Sequence, residues 1–431
     1  MSAGALSLLV GYALVMRPIV VALLGAGAVF AALALSGTDV FLLSGLTVRP
    51  LADAVAERRF AAGLNVGSML GLLILGAGSF RLLAAKSPRG IYAGGITAML
   101  FTLWAVVAWL HAGFDPAITK ELIRNLSIIV VALVALNAPD RRMIDRIPAV
   151  VVLSVIPPAL VALYQLAAGI GFEGSRRVYG TLSHPNTAGA LFAVGALVAL
   201  WIYLENGRRK RYLAAGVLFT FALLATQSVG ALGEVVVSVF VFALLAYRRT
   251  PKIAVLTAVG IAILVVFATS SLGRERVKEL QSTRSFSAAI DPRTFPTNSL
   301  EWRYGHWALE FRQWKQKPIL GWGLGATLSF HMPDGFVAHS DPLRLLVETG
   351  ILGFAVFGCA LFLLLSRLKL IAAADPRAGS FAAASMAIMA GLLVNSLAND
   401  VSEQTAVMYV VAAVVGAALA GAPRTPAAAP R

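Results

Sequence analysis

A single cysteine, Cys359, occurs among the 431 residues. One thiol builds neither a disulfide framework nor a cysteine metal cluster, and in its apolar surroundings it reads as a small packing residue. Charge is scarce as well: Asp, Glu, Lys and Arg make up 13 % of the chain, against roughly 25 % in soluble globular domains. Acidic residues are the rarer sign, and the aspartates of the most polar segment, Asp291, Asp334 and Asp341, are scattered without the spacing of a divalent-cation site. Neither a metal nor any other cofactor is therefore expected. There is no strong internal repeat. There is also no cleavable signal peptide in evidence, because the first apolar stretch meets Arg17-Pro18 and then a full-length span, which is expected to act as an uncleaved anchor.

What the chain has in abundance is apolar sequence. Hydrophobic residues supply 58 % of it and the mean hydropathy is +0.80, which implies an all-α, polytopic membrane protein. At about 20 residues per crossing, spans are expected at 19–36, 61–80, 91–110, 121–138, 148–170, 186–205, 212–227, 230–247, 253–271, 343–366, 380–398 and 404–421, about twelve in all. The apolar stretches 5–16 and 40–48 are too short to span.

Charge placement supplies orientation. Arg81, Lys86 and Arg89 follow the second span, Arg141, Arg142 and Arg146 the fourth, and Arg208, Arg209, Lys210 and Arg211 the sixth. Arg248, Arg249 and Lys252 follow the eighth, and Arg367, Lys369 and Arg377 the tenth, whereas the eleventh connection carries only Asp400 and Glu403. The positive-inside rule puts both termini in the cytoplasm and the polar segment after the ninth span outside, in a bacterium the periplasm. Much of the net charge of +15 is then this topological signal and attraction to membrane lipids, so no nucleic-acid partner is expected. The expected organisation is residues 1–271 with nine spans, a periplasmic loop 272–342, three spans within 343–422, and a disordered tail 423–431.

The candidate chemistry gathers on the outer side. The connection before the sixth span reads Gly174-Ser175-Arg176-Arg177-Val178-Tyr179-Gly180-Thr181-Leu182-Ser183-His184-Pro185-Asn186. Two arginines run against the positive-inside trend, and beside Asn186 and the free N–H groups of a helix start they suit a phosphate. The same arginines would also serve as lipid-headgroup contacts. In the long loop, Glu301 to Trp314 reads as an amphipathic helix, with Trp307, Phe311 and Trp314 on one face and Arg303 a turn before Trp307. It suits either an interfacial anchor or a site element. Pro318-Ile319-Leu320-Gly321-Trp322-Gly323-Leu324-Gly325 permits tight turns and close approach to a ligand, but no Lys-Ser or Lys-Thr follows it as in a phosphate loop. Of the loop histidines His306, His331 and His339, the last stands just outside a membrane helix bearing Arg344 and Glu348 four residues apart, where it could serve as a general base or as a surface residue.

The run from His339 to Gly353 resembles the signature of the O-antigen ligase and polymerase superfamily, in which a loop histidine precedes a helix carrying an acidic residue and Gly-Ile-Leu-Gly. The Arg303 helix leading into Pro318–Gly325 and the pattern from Arg177 to Asn186 are similar to that family too, and the resemblance covers roughly 170–400. It implies a metal-independent GT-C glycosyltransferase that passes a glycan from undecaprenyl pyrophosphate to an acceptor hydroxyl with inversion. His339 would activate the acceptor, Arg303, Arg176, Arg177 and Arg344 would bind the donor pyrophosphate, and Glu348, Asn186 and His184 would support them. One departure stands out: many members carry Ser-Arg where this chain has Ser228-Val229, so Arg176, Arg177 or Arg344 would have to replace a phosphate ligand. The acceptor is lipid A core in a ligase and another lipid-linked glycan in a polymerase. A lipid-carrier transporter is the alternative from another class, but transporters place their polar breaks near the midplane in both halves rather than at one face.

Overall fold

The computed structural model describes residues 18–55, 65–84, 96–112, 116–138, 141–205, 209–247, 252–289, 295–329, 339–374 and 376–421. Every regular element among them is helical: α1 (Pro18–Leu35), α2 (Thr38–Ala52), α3 (Val66–Ala84), α4 (Ile96–Ala112), α5 (Pro116–Leu136), α6 (Arg141–Ala168), α7 (Pro185–Glu205), α8 (Lys210–Thr226), α9 (Val229–Tyr247) and α10 (Lys252–Thr269), followed by α11 (Ser271–Ser282), α12 (Phe286–Ala289), α13 (Ser299–Gln316), α14 (Ala326–Ser329), α15 (Asp341–Ala374), α16 (Pro376–Ser396) and α17 (Thr405–Ala420).

Six of these helices are long and apolar enough to cross a membrane, at Val66–Ala84, Ile144–Ala168, Pro185–Glu205, Val229–Ala246, Asp341–Ala374 and Gly379–Ser396. The chain is thus a multi-pass membrane protein, but length and composition alone support six spans among the described residues where the sequence suggested about twelve. The shortfall has particular causes. Helix α5 carries Lys120, Glu121 and Arg124 in its first turns, α17 is 16 residues long, and α10 bends by 75° into the next helix. Two expected boundaries also move. Arg141, Arg142 and Arg146 lie within α6 rather than in a connection, and Thr38–Ala52 is a helix although its apolar run is too short to span.

The core centres on α7 and α17. Helix α17 is almost wholly buried and packs against α2, α5, α6, α7 and α16. Lipid tails are as apolar as leucine, so helices in a membrane associate through close backbone approach and hydrogen bonds. Gly416 shows this closeness: a Cβ there would lie 2.2 Å from the Ala132 carbonyl oxygen of α5. Tyr409 donates to Ser127 at 2.8 Å across the same crossing.

Helix α15 is broken at Gly350 (φ 61°). In an unbroken helix the carbonyls of Val347 and Glu348 would accept from Ile351 and Leu352. Here the Pro318–Gly325 segment splints the break: Trp322 N–H donates to Val347 O (2.8 Å) and Gly323 N–H to Glu348 O (2.7 Å), while Ile351 and Leu352 donate to Pro318 O (2.9 Å) and Ile319 O (3.2 Å). Two helical bonds are exchanged for four loop bonds, as irregular backbone inside a membrane protein requires. The alternating glycines serve this purpose. Gly321, Gly323 and Gly325 all have positive φ, and a Cβ on Gly321 would lie 2.5 Å from the α15 backbone.

Helix α13 forms where a helix was expected but buries a different face from the expected one of Trp307, Phe311 and Trp314. Its inward residues are Glu301, His306 and Glu310, while Phe311 is exposed. Asn298 caps it by accepting from Leu300 and Glu301 N–H. Glu301 in turn takes Arg284 at 2.7 Å and Thr297 N–H at 2.9 Å, and these donors hold its carboxyl well below the usual range.

Candidate functional site

His339 opens the segment that enters α15, with a left-handed backbone (φ 52°). The surroundings hold this uncommon conformation in place. Asp400 accepts from His339 N–H and Ser340 N–H, both at 3.0 Å. Asp341 answers in the opposite direction, accepting from Ser402 N–H at 3.0 Å and Ser402 Oγ at 2.5 Å. Two carboxylates thus clamp 339–341 to the connection between α16 and α17. The Nδ1 of His339 lies 3.5 Å from Asp400 Oδ2, which leaves Nε2 for other work.

Burial, then the charge of Arg303, presses the His339 imidazole down to about 3, with smaller contributions from His184 and His306. Burial, then Glu403, pushes Asp400 up to about 7. These two shifts pull against the 3.5 Å contact between the partners: an ionised Asp400 would favour a charged imidazole. The direction that follows from both is a neutral His339 at neutral pH, with Asp400 as the group of the pair that titrates there.

The second wall comes from the turn before α7. Gln165 fixes this turn by accepting from Tyr179 N–H (3.1 Å) and Gly180 N–H (2.8 Å) and donating to Gly180 O (2.8 Å). Asp53, at the end of α2, accepts from Ser183 N–H (2.8 Å) and Oγ (2.7 Å). Within the turn, Asn186 N–H donates to His184 Nδ1 at 3.0 Å. A backbone N–H has only a proton to give, so that nitrogen is unprotonated and the neutral ring carries its proton on Nε2. Burial, then the charges of Arg177 and Arg303, lowers His184 to about 4, in keeping with this geometry.

His184, Asn186, His339 and Asp400 line one polar cavity of about 480 Å³, closed by residues of α2, α3, α5 and α17. Arg177 borders it, donating to Asn186 Oδ1 at 2.6 Å and, through Nε, to Thr226 O at 3.1 Å. That second bond sets the guanidinium beside the turn leading to Val229. Arg303 acts on both imidazoles and donates to Ser299 O (3.3 Å) and Oγ (3.2 Å). Arg176 is exposed.

Arg344 and Glu348 lie behind this cavity. Arg344 is 4 % exposed and its guanidinium is shared among Glu121 (2.8 Å), Glu348 (3.0 Å) and Glu403 (2.5 Å), while Arg124 also pairs with Glu121. Thr327 Oγ1 donates to Glu348 at 2.7 Å. This charged group forms a septum. On its far side is a second cavity of about 370 Å³, lined mainly by apolar residues such as Trp104, Phe357, Leu361, Met389 and Val411, with Arg124 common to both.

The sequence did not single out Asp53, Glu121, Asn395, Asn399 or Asp400 as site residues. A charged residue beside or within an apolar helix is expensive unless it faces protein or water, and that cost was the available signal for Glu121 and Asp400. His306 is buried with Nδ1 2.9 Å from Trp302 O, and Trp302 stands between His306 and His339, its ring centroid 5.3 Å from that of His339. His331, Asp291 and Asp334 fall outside the described residues. Among the described residues no group of three His, Cys, Asp or Glu could hold a metal ion.

Residues 214–358 match the family model described as O-antigen ligase. No curated protein matches the chain. The matched stretch contains His339, Arg303 and the splinted helix break, whereas the turn at 176–186 and the connection around Asp400 lie outside it.

Proposed function

We propose, from the match of residues 214–358 to the family model described as O-antigen ligase, that this protein is a glycosyltransferase of the bacterial inner membrane with its site toward the periplasm. In this reading the protein spans the membrane about twelve times with both termini cytoplasmic, in the GT-C manner. It transfers a glycan from undecaprenyl pyrophosphate to a hydroxyl of lipid A core, as an O-antigen ligase. The observation that carries this reading is the convergence of His339, His184 and Asn186 on one polar cavity, with Arg177 bonded to Asn186 and the charge of Arg303 acting on both imidazoles.

The chemistry assigns each group a task. Nε2 of His339 takes the proton of the acceptor hydroxyl as its oxygen attacks the anomeric carbon. The bond from that carbon to the pyrophosphate oxygen breaks with inversion, and undecaprenyl pyrophosphate leaves with the electron pair. Asp400, when ionised, stabilises the imidazolium that forms. Pyrophosphate is already a good leaving group, so Arg177 and Arg303 have only to hold and neutralise it, and the mechanism calls for no metal. Arg344, committed to three carboxylates, supports the site from behind, while the exposed Arg176 is suited to capturing the donor at the outer rim. In this reading the apolar cavity beyond the septum, about 370 Å³, takes only a few isoprene units of the polyprenyl tail.

Purified protein incubated with undecaprenyl-pyrophosphate glycan, with and without lipid A core, tests the proposal. Glycan joined to the core and dependent on its presence supports a ligase. Longer lipid-linked glycan without core would make the protein a polymerase, and no transfer in either mixture would remove the enzyme reading. Chelators are expected to leave the rate unchanged.

A further inference from the structure

A line of side-chain amides runs from the cavity wall into the helix bundle. Arg177 donates to Asn186 Oδ1 at 2.6 Å, Asn186 Nδ2 donates to Asn399 Oδ1 at 2.8 Å, Asn399 Nδ2 to Asn395 Oδ1 at 2.7 Å, and Asn395 Nδ2 to Glu234 Oε2 at 2.6 Å. The three asparagines are buried and Glu234 is 1 % exposed. Gly230, one turn before Glu234, leaves the room for this line: a Cβ there would lie 2.4 Å from both Asn395 Oδ1 and Asn399 Nδ2.

The direction of the line follows from its ends. A guanidinium has donors and no acceptor, so Asn186 must present its oxygen to Arg177. Its nitrogen then faces Asn399, and the same logic passes along to Asn395, whose nitrogen requires an acceptor. Glu234 is that acceptor. With a cation at one end and an accepting carboxyl oxygen at the other, both ends orient the amides the same way, and neighbouring bonds polarise one another in low dielectric. An apolar residue at 234 would leave the Asn395 amide without its acceptor, and reversal of the line would turn an N–H toward Arg177.

We infer that Glu234, in the second turn of α9, is a positioning residue that fixes the amide of Asn186 and the guanidinium of Arg177 at the cavity wall. It touches no substrate. The inference rests on the reading of that wall as the donor site, but the line of bonds can be tested apart from it.

The test is a double-mutant cycle of Glu234→Leu and Asn186→Ala in detergent-purified protein, read first as thermal midpoint and then as donor KM and kcat. Coupled groups give midpoint shifts that are not additive, because Glu234→Leu loses the part of its effect that passes through Asn186 once that residue is Ala. Glu234→Leu should also raise the donor KM about tenfold while kcat changes much less, the size of one charge-assisted hydrogen bond. Glu234→Gln, which retains a carbonyl acceptor, should restore both readouts. Additive midpoint shifts overturn the line itself. Coupled midpoints with an unchanged donor KM overturn its positioning role. If the unsubstituted protein transfers no glycan, the functional reading fails and the midpoint cycle still decides whether the line exists.

Discussion

The cavity beneath His339 and the cavity behind Arg344 share Arg124 and are otherwise built from opposite materials. The first is walled by imidazoles, amides and carboxylates whose partners lie on distant segments: Asp400 holds His339, and Asp53 holds Ser183. The second is walled by Trp104, Phe357, Leu361 and Met389, side chains that fix no orientation and exclude water. A ligand with a phosphate head and a hydrocarbon tail needs both, side by side and insulated from one another. The septum of Arg344 with Glu121, Glu348 and Glu403 supplies the boundary. Such a group is a poor source of net stability, yet it is costly to break in half because the remaining charges stay buried.

Substitutions that act on one cavity and spare the other sharpen this comparison. The largest effect is expected at His339. His339→Ala should lower turnover by about 10²–10⁴-fold, the usual contribution of a general base, with donor binding retained. Single-turnover kinetics with a separate binding measurement checks it, and near-normal turnover in folded protein would dismiss the base. Next is the septum: Arg344→Ala should destabilise the protein by about 3–5 kcal/mol through the uncompensated carboxylates, visible as a lowered denaturation midpoint. Were Arg344 chiefly a substrate ligand, the midpoint would stay and only donor affinity would fall.

How much of this could be read in the sequence depended on whether partners were near in the chain. The all-helical membrane class, the amphipathic helix at 299–316 and the weight placed on His339 all came from local pattern. The alternating glycines were legible as a tight backbone but not as a splint, because the helix they repair lies some thirty residues later. Arg344 looked like a phosphate ligand on its own helix, where only Glu348 is visible. Glu121 and Glu403, which also claim it, come from segments far apart in sequence. In the sequence Asp400 is one charge in a connection, since nothing nearby in the chain tells that its two oxygens cap the backbone of His339 and Ser340.

Two smaller effects refine the account. Arg177→Ala should weaken the donor by roughly tenfold or more, and Arg177→Lys should weaken it less, since Lys keeps the charge and loses the fork that reaches both Asn186 and Thr226. Equal donor affinity in all three proteins would confine Arg177 to a structural role. The smallest effect concerns acidity. Because Asp400 is pushed up to about 7 while His339 is held at about 3, activity should fall as pH drops through about 7 and Asp400 gains its proton. Asp400→Asn should be slower above that pH but nearly flat from pH 8 to 5. An unchanged acidic limb in this variant would assign the titration to another group.

The division of one ligand between two cavities is tested most directly by photocrosslinking. A short polyprenyl pyrophosphate of a few isoprene units, carrying a photoreactive group at the end of its tail, is bound to the purified protein, irradiated and mapped by mass spectrometry. A matching probe is labelled beside the pyrophosphate. The account predicts that the tail probe marks peptides bearing Phe357, Leu361 or Met389, and that the head probe marks those bearing His184, Asn186 or His339. Tail labels on the polar wall, or head labels confined to the apolar cavity, would contradict it.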